Sequence, residues 1–472
     1  MTDVEQQPAH VGRSTRADGR DDIEDTAIRK VDPRIARRPE SRTSRGGRRR
    51  AKTRKRHTVF KVVLVTMVVL AMITGLGVAY LYRDLNGNLT IADYGDQFVE
   101  KAPKKVEFTG PTDPLNILVM GEDSRDCAGC GVDGESTAGL SDTTILIHLS
   151  RDRKHAYGIS IPRDSLVERP DCKDEKGDII PGSSRTMWNA AFAYGGPACT
   201  ISQFQHDTGI PVDYSVVVNF GGFKGMVDAV GGVDVCVPET FYDSYTKTTF
   251  EQGTHKFTGK KALAYVRVRH GIGDGSDIGR TRRQQAFIAS MINQVMSANT
   301  LANPVKVVKF LRAATASLEL SEVGSTGLGN IKELAGLALQ FKNIGLDKIE
   351  FLTVPFVYGT GTERGRVLWT EDANKIWEKI KNDRPLGDVL TANSIKVNHA
   401  PGRTDSPGPS SGASGSTGSG STDKPSSGST PSSDPSSNGT PSSDPSSGST
   451  SKPDDGLTDE QKSDLTSVGL CT

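Results

Sequence analysis

The chain has 472 residues, with 58 Lys and Arg against 57 Asp and Glu, for a formal net charge of +1. Near-neutrality over this length excludes any inference about partners from bulk charge, since it averages segments of very different character.

Arg42 to Arg56 carries nine Lys or Arg and no acid. Just beyond it, Val62 to Tyr82 is a run of 21 uncharged, mostly aliphatic residues, enough to cross a hydrocarbon core of about 30 Å as a helix. No comparable basic cluster follows. The positive-inside rule therefore predicts residues 1–57 as a disordered, basic cytoplasmic tail, 58–82 as a single transmembrane helix, and the chain from Arg83 onward as extracellular. A cleaved signal peptide is the competing reading, but the apolar run is too long for an ordinary signal, starts far from the N-terminus and lacks a small-x-small cleavage site. The basic run has no interleaved aromatics and abuts the span, so it reads as membrane anchoring and not as a nucleic-acid site.

After a linker at 83–112, residues 113–398 read as one large α/β domain. Strands are expected at Asn116 to Met120, Thr143 to Leu149, Ala156 to Ile161, Ser215 to Asn219 and Lys348 to Val354. Helical spacing of apolar residues marks Ala190 to Tyr194, Gly222 to Val230, Arg282 to Met296, Pro304 to Ala316, Ile331 to Phe341 and Glu371 to Ile380. Strands alternating with helices predict a sheet covered on both faces. Six cysteines in an exported domain favour disulfides over redox chemistry. Cys172 and Cys199 make a plausible pair. Cys127 and Cys130 form a C-x-x-C with no second pair at metal spacing, so a local disulfide or free thiols outrank zinc. Cys236 and Cys471 have no evident partner. From Pro401 to Asp454 the chain is almost entirely Ser, Gly, Thr, Pro and Asp, and 399–472 is expected to remain a disordered tail.

The block Ala262 to Gln285 packs five arginines and two aspartates around a run of glycines. Arg267 and Arg269 alternate with apolar neighbours, so on a strand they would share a face. Arg280 and Gln284 would share a face of the following helix. Guanidinium forks suit phosphate oxygens, which they grip bidentately. Asp277 is a hard ligand for Mg²⁺ or Mn²⁺, of the kind that works with substrate phosphates. Arg282 and Arg283 are expected on the helix surface. Asp142, at the start of a strand, and Arg163-Asp164, at the end of the next, fall where α/β sheets place their chemistry. Each alone is more often a turn cap or a solvated surface residue.

Taken together, Asn116-Ile-Leu-Val-Met-Gly-Glu-Asp-Ser-Arg125, Ser141-Asp142-Thr143, Ile161-Pro-Arg-Asp164, Asn189 to Gly196 and the Ala262 to Gln285 block resemble the LytR-CpsA-Psr family, closely over Leu115 to Met296. The resemblance, of an actinobacterial cast, implies a three-layer α/β/α sandwich with a central mixed sheet and a hydrophobic lipid-binding cavity. The implied reaction moves a glycopolymer from a polyprenyl-pyrophosphate carrier to a muramic acid hydroxyl of peptidoglycan. Asp142 and Asp277 match the family's magnesium ligands, and Arg163, Arg267, Arg269 and Arg280 its pyrophosphate-binding arginines. Gln284 follows on the same helix, and Asp123 and Arg125 match a loop motif. Leu140 stands where members often carry Arg.

A carrier lipid needs an apolar slot, for which Phe220, Phe223, Met226 and Val230 are candidates, although residues at helical spacing are more often plain core. Asp123 or Asp164 is the candidate base for the acceptor hydroxyl. Gly121, Gly221, Gly222, Gly231 and Gly232 fit neither nucleotide-loop spacing, which argues against a nucleotide enzyme. The rival to a transferase is a receptor that binds polyprenyl phosphates without catalysis. A pyrophosphatase that hands the phosphoryl group to water is a third reading. Teichoic polymers, arabinogalactan and capsular chains would all present the same pyrophosphate, so the sequence does not choose among donors.

Overall fold

A computed structural model describes residues 56–110, 112–122, 141–174, 176–323, 330–401 and 458–471. Asp123, Arg125, Leu140, Cys127 and Cys130 lie outside the described residues, as does the stretch 402–457. The chain divides into residues 1–69 and 70–472. The described part of the first is wholly helical. Helix α1 (Arg56–Gly87) contains the stretch His57–Gly87, which holds an 18-residue window with a mean hydropathy of 2.6 and is long and apolar enough to cross a membrane.

The sheet has eight strands: β1 (Thr90–Ala92), β2 (Leu115–Glu122), β3 (Ser141–Leu149), β4 (Ala156–Ile161), β5 (Tyr214–Asn219), β6 (Leu318–Glu322), β7 (Ile349–Thr353) and β8 (Ile395–Lys396). Their order is β1-β6-β5-β2-β3-β4-β7-β8. The β1–β6, β5–β2 and β4–β7 pairs are parallel and the others antiparallel, so the sheet is mixed. The helices are α2 (Ala190–Thr208), α3 (Phe220–Ala229), α4 (Gly259–Arg267), α5 (Asp277–Met296), α6 (Ala298–Leu301), α7 (Pro304–Thr315), α8 (Ile331–Ile344), α9 (Glu371–Lys381) and α10 (Asp459–Ser467).

Alternation along the strands sorts the core into layers. Leu118 and Met120 of β2 pack with Ile201 and Phe204 of α2 and Ile376 and Trp377 of α9. Ile117, pointing the other way, packs with Ala286 and Ala289 of α5 and Ile344 of α8. This is a three-layer α/β/α sandwich. A third cluster joins Val227 of α3, Ala262 and Tyr265 of α4 and Phe287 of α5. Trp188 is buried between layers, and its indole N–H donates to Thr144 Oγ1 at 3.0 Å, which leaves no orphan donor.

The structure departs from the sequence reading in several places. The stretch expected as a linker is partly folded: β1 pairs with β6, and Leu85 and Tyr94 are buried. The Arg267–Arg269 run is not a strand, because Arg267 ends α4 and Arg269 follows in a loop. The final residues, expected in the disordered tail, fold back as α10. There Leu465 and Leu470 join the α5 and α8 core, and Cys471 forms a disulfide with Cys236. A Cβ at Gly273, whose φ is +60°, would come within 2.7 Å of Val468, so this close approach needs glycine. Cys172 and Cys199 are bonded as expected.

Arg282 and Arg283, expected on the surface, are buried, and the returning segment explains why. Arg283 donates to Val468 O at 3.0 Å and Val268 O at 2.8 Å, tying α10's end to the loop before α5. Arg282 donates to Asn393 O, and burial draws its pKa down to about 10 against the pull of Asp464. Backbone carbonyls with two lone pairs each are adequate partners for guanidinium donors withdrawn from water.

Loss of the Cys236–Cys471 link should free α10. Cys471→Ser is expected to lower stability by about 2–4 kcal/mol and to open residues 458–471 to protease. An unchanged melting temperature and cleavage pattern would contradict the assignment. At the end of α2, burial and the nearby Glu168 charge push the Asp207 carboxyl up to about 8, and its Oδ2 has no hydrogen-bond partner. A raised carboxyl keeps its proton in the folded state after the unfolded chain has released it, so stability falls as pH rises from about 4 to about 8. Asp207→Asn should flatten that decline, with a larger gain in melting temperature at pH 8 than at pH 5.

Candidate active site

The centre of the site is Asp142. The β2–β3 register shifts between Gly121 and Glu122, so that Gly121 faces Thr143 while Glu122 faces Ser141. Asp142 is the extra residue of this bulge, a device that re-aims a side chain at a strand end. Arg163 and Asp164 occupy the two corner positions of a turn closed by Ser165 N–H donating to Pro162 O at 3.1 Å. Asp277 and Arg280 lie in the first turns of α5. That helix is capped by Ser276, whose side chain accepts from Gly279 N–H, so its positive end faces the site.

Three guanidiniums converge on Asp142. Arg163 Nη1 lies 2.8 Å from Oδ1, while Arg269 Nη2 and Arg280 Nη1 lie 2.8 and 3.1 Å from Oδ2. Arg280 Nη2 is 2.7 Å and Arg163 Nε 3.2 Å from Asp277 Oδ1, and Arg163 Nε is 3.5 Å from Asp164. The Arg280 side chain is only 3% exposed, against 44% for Arg269. Burial raises the Asp142 pKa, but Arg280, Arg163 and Arg269 outweigh it and hold the carboxyl below its ordinary range. At Asp277 burial dominates. Arg280 and Arg163 offset it only in part, and Asp164 and Asp142 add to it, so its pKa is raised. Burial also lowers the Arg280 pKa despite both carboxylates, whereas Asp277 and Asp142 overcome burial at Arg163 and raise it.

Beside this network is a cavity of about 560 Å³, within the size range of small-ligand pockets. Its lining follows helical periodicity. Arg280, Gln284, Phe287, Ile288 and Met291 mark one face of α5, Leu263, Val266 and Arg267 one face of α4, and Phe220, Phe223 and Met226 one face of α3. Val119, Gly121, Thr143, Ile145 and Val218 close it from the sheet. Arg267, Arg269, Arg280 and Asp142 give it a charged part, and most of the lining from α3, α4, α5 and the sheet is apolar.

Among the expected site residues, the structure brings together Arg163, Arg269, Arg280, Asp142 and Asp277. Arg267 lies over the Phe220 ring at 4.5 Å and the Tyr245 ring at 5.4 Å, and its Nη2 donates to the Tyr245 hydroxyl at 3.3 Å. Phe220 thus carries an arginine as well as lining the cavity. Phe223 and Met226 line it, while Val230 is core. Gln284 bridges elements: its Nε2 donates to Val266 O, and its Oε1 accepts from Thr143 Oγ1, both at 3.1 Å. Sequence reasoning missed Tyr245, which sits in a short hairpin (Phe241–Asp243 with Thr248–Phe250) whose turn is fixed by Thr246 N–H donating to Asp243. An alternating apolar pattern around a polar turn was the available signal.

Residues 81–383 match the LytR_cpsA_psr family. The chain belongs to that family. It is 30% identical over 351 residues to the cell wall biosynthesis protein LcpA of Corynebacterium glutamicum, covering 68% of this chain and 64% of that one. It is 31% identical to the probable cell wall biosynthesis protein LcpB of the same organism, covering 54% of this chain and 58% of that one. The chain therefore spans about three fifths of the length of these two curated relatives. It is 32% identical to the polyisoprenyl-teichoic acid–peptidoglycan teichoic acid transferase TagT of Bacillus subtilis, over 54% of this chain and 75% of that one. The crystal structure of B. subtilis TagV superposes with a TM-score of 0.43 and 28% identity, covering 58% of this chain and all of that one.

Asp142 partly cancels three guanidiniums, so its removal should strengthen anion binding in the absence of divalent cations. Asp142→Asn is expected to bind inorganic pyrophosphate about 3–10-fold more tightly than wild type in EDTA, a gain of roughly 1 kcal/mol for an exposed charge contact. Calorimetric titration showing weaker binding would contradict the geometry.

Proposed function

We propose that the protein transfers a glycopolymer from a polyprenyl-pyrophosphate carrier to a hydroxyl of peptidoglycan, with the catalytic domain outside the membrane. The observation that carries this reading is the junction of an apolar cavity with an arginine–aspartate network through Arg269, Arg280 and Asp142, which belong to both. A prenyl chain fits the apolar face, and its pyrophosphate fits the guanidinium forks. The relatives named as teichoic acid transferases to peptidoglycan support the substrate class.

A divalent cation, Mg²⁺ or Mn²⁺, fits the donor set. The four arginines of the site (163, 267, 269 and 280) and its three aspartates (142, 164 and 277) leave one net positive charge for a pyrophosphate that carries two. The buried Asp277 Oδ1 makes no well-formed hydrogen bond, and its ion pairs with Arg280 and Arg163 would have to give way in part for it to take a cation. Among the described residues no group of three or more His, Cys, Asp or Glu is placed to hold a metal, and substrate oxygens would complete the shell of Asp142 and Asp277. When bound, the ion would neutralise charge on the transferring phosphoryl group.

Phosphoryl transfer needs positioning and charge stabilisation more than a covalent nucleophile. Arg163, fixed by three carboxylates, and Arg280, fixed by two, would hold the phosphate oxygens at set positions. Arg267, braced by Phe220 and Tyr245, would face the phosphate next to the prenyl chain and balance the charge that gathers on it as the bond breaks. Burial of Arg280 strengthens its contacts by excluding water.

The experiment is to incubate the full-length protein in detergent micelles with lipid-linked glycan, peptidoglycan oligomers and Mg²⁺, and to look for glycan joined to the oligomer. Conjugate is expected from wild type and none from Arg267→Ala or Asp142→Ala. Lipid binding without conjugate would favour a receptor, free sugar phosphate alone would favour hydrolysis, and unchanged turnover in both variants would refute the site.

A further inference from the structure

The cavity takes in only one side of the ion network. Asp142, Arg269 and Arg280 line it, whereas Arg163, Asp164 and Asp277 do not, although their side chains remain 20%, 22% and 18% exposed. The network therefore has a second side open to solvent. Over that side stands an antiparallel hairpin, Phe356–Tyr358 with Val367–Trp369.

The hairpin is fastened to the site at several points. Val367 N–H donates to Asp164 O at 3.1 Å, and Trp369 Nε1 donates to Ser165 Oγ at 3.0 Å. The Trp369 ring packs 6.0 Å from Trp188 and 5.6 Å from Trp377, so the base of the hairpin is held by the core. Arg366 Nη1 lies 3.9 Å from Asp164 Oδ1. The Tyr358 hydroxyl meets the side chain of Ser276, the residue before Asp277. Glu363, near the tip, pairs with Arg185. The rim of this anchored hairpin is nevertheless exposed, Tyr358 to 60% and Val357 to 52%. An aromatic ring held in place with its face left in water is free to stack on a ligand.

In-line displacement decides what such a rim would meet. If the prenyl phosphate departs on the cavity side, the attacking oxygen has to approach from roughly the opposite side of the phosphorus, where Asp164 and the hairpin lie. We propose that the hairpin rim is the acceptor subsite, which takes a glycan strand bearing a free hydroxyl and carboxylates. Tyr358 is the platform for a sugar ring, Arg366 binds an acceptor carboxylate or hydroxyl, and Asp164 receives the acceptor proton. This rests on the transferase reading. The acceptor oxygen forms a bond to the sugar-linked phosphorus as the bond from that phosphorus to the bridging oxygen breaks. The electron pair leaves with polyprenyl monophosphate, and the proton passes to the Asp164 carboxylate.

The test uses the full-length protein in detergent and two titrations on each sample: a soluble peptidoglycan oligomer with its peptide stems, and geranylgeranyl pyrophosphate. Tyr358→Ala and Arg366→Ala are each expected to weaken the oligomer about tenfold, while Tyr358→Phe, which keeps the ring, stays within about twofold of wild type. Prenyl pyrophosphate affinity on the same samples reports an intact fold and donor site. Oligomer binding as tight in both alanine variants as in wild type overturns the proposal, as does a wild type that does not bind the oligomer. A wild type that binds the oligomer through the rim but not prenyl pyrophosphate would instead count against the donor reading.

Discussion

One carboxylate organises the site. Asp142 is aimed by a strand bulge and shared by Arg163, Arg269 and Arg280, three side chains that come from a turn, a loop and a helix. Without it, three guanidiniums would be left close together around a partly buried point, and like charges at such distances repel by several kcal/mol where solvent screening is weak. With it, they are held as a rigid, slightly positive cage. The same residue opens onto the apolar cavity, so a single constraint sets both the anion-binding geometry and its alignment with the lipid-sized slot.

The cage depends in turn on how α5 is held. Its first turns carry Asp277 and Arg280, and its next residues, Arg282 and Arg283, do not reach solvent. They bind the backbone of the chain's own C-terminal segment and of neighbouring loops. Asp274 N–H also donates to Ser467 O at 2.9 Å, so the glycine-rich loop that leads into α5 is pinned from outside. The five arginines of that block thus divide by chemistry. Arg267, Arg269 and Arg280 face the cavity, where ligands would compete for them, while Arg282 and Arg283 are bonded to backbone carbonyls.

Much of the fold was legible because periodicity is local. The strands Thr143 to Leu149 and Ala156 to Ile161 and the helices after Asn189 and Asn219 fall where their apolar spacing placed them. Asp142, Arg163, Arg280 and Asp277 were singled out by the ordered set of motifs that resembles the family, since a charged residue at one strand end or helix start is by itself more often a cap or a solvated side chain. What escaped were contacts between distant segments. Nothing in Cys236 points to Cys471, 235 residues away. Arg283 looked like helix surface because the segment that covers it lies beyond a long polar stretch. The strand assigned to Arg267 and Arg269 failed because two turns of helix with Leu263 and Val266 inward, ended at Val268, imitate alternation over a few residues.

The central claim is that cage and cavity serve one amphipathic ligand. Its most direct measurement compares, on the full-length protein, the affinities of geranylgeranyl pyrophosphate, geranylgeraniol and inorganic pyrophosphate. The account predicts that the joined ligand binds at least about 100-fold more tightly than either part, close to 3 kcal/mol. An affinity for geranylgeranyl pyrophosphate no greater than that of the better of the two parts would contradict it.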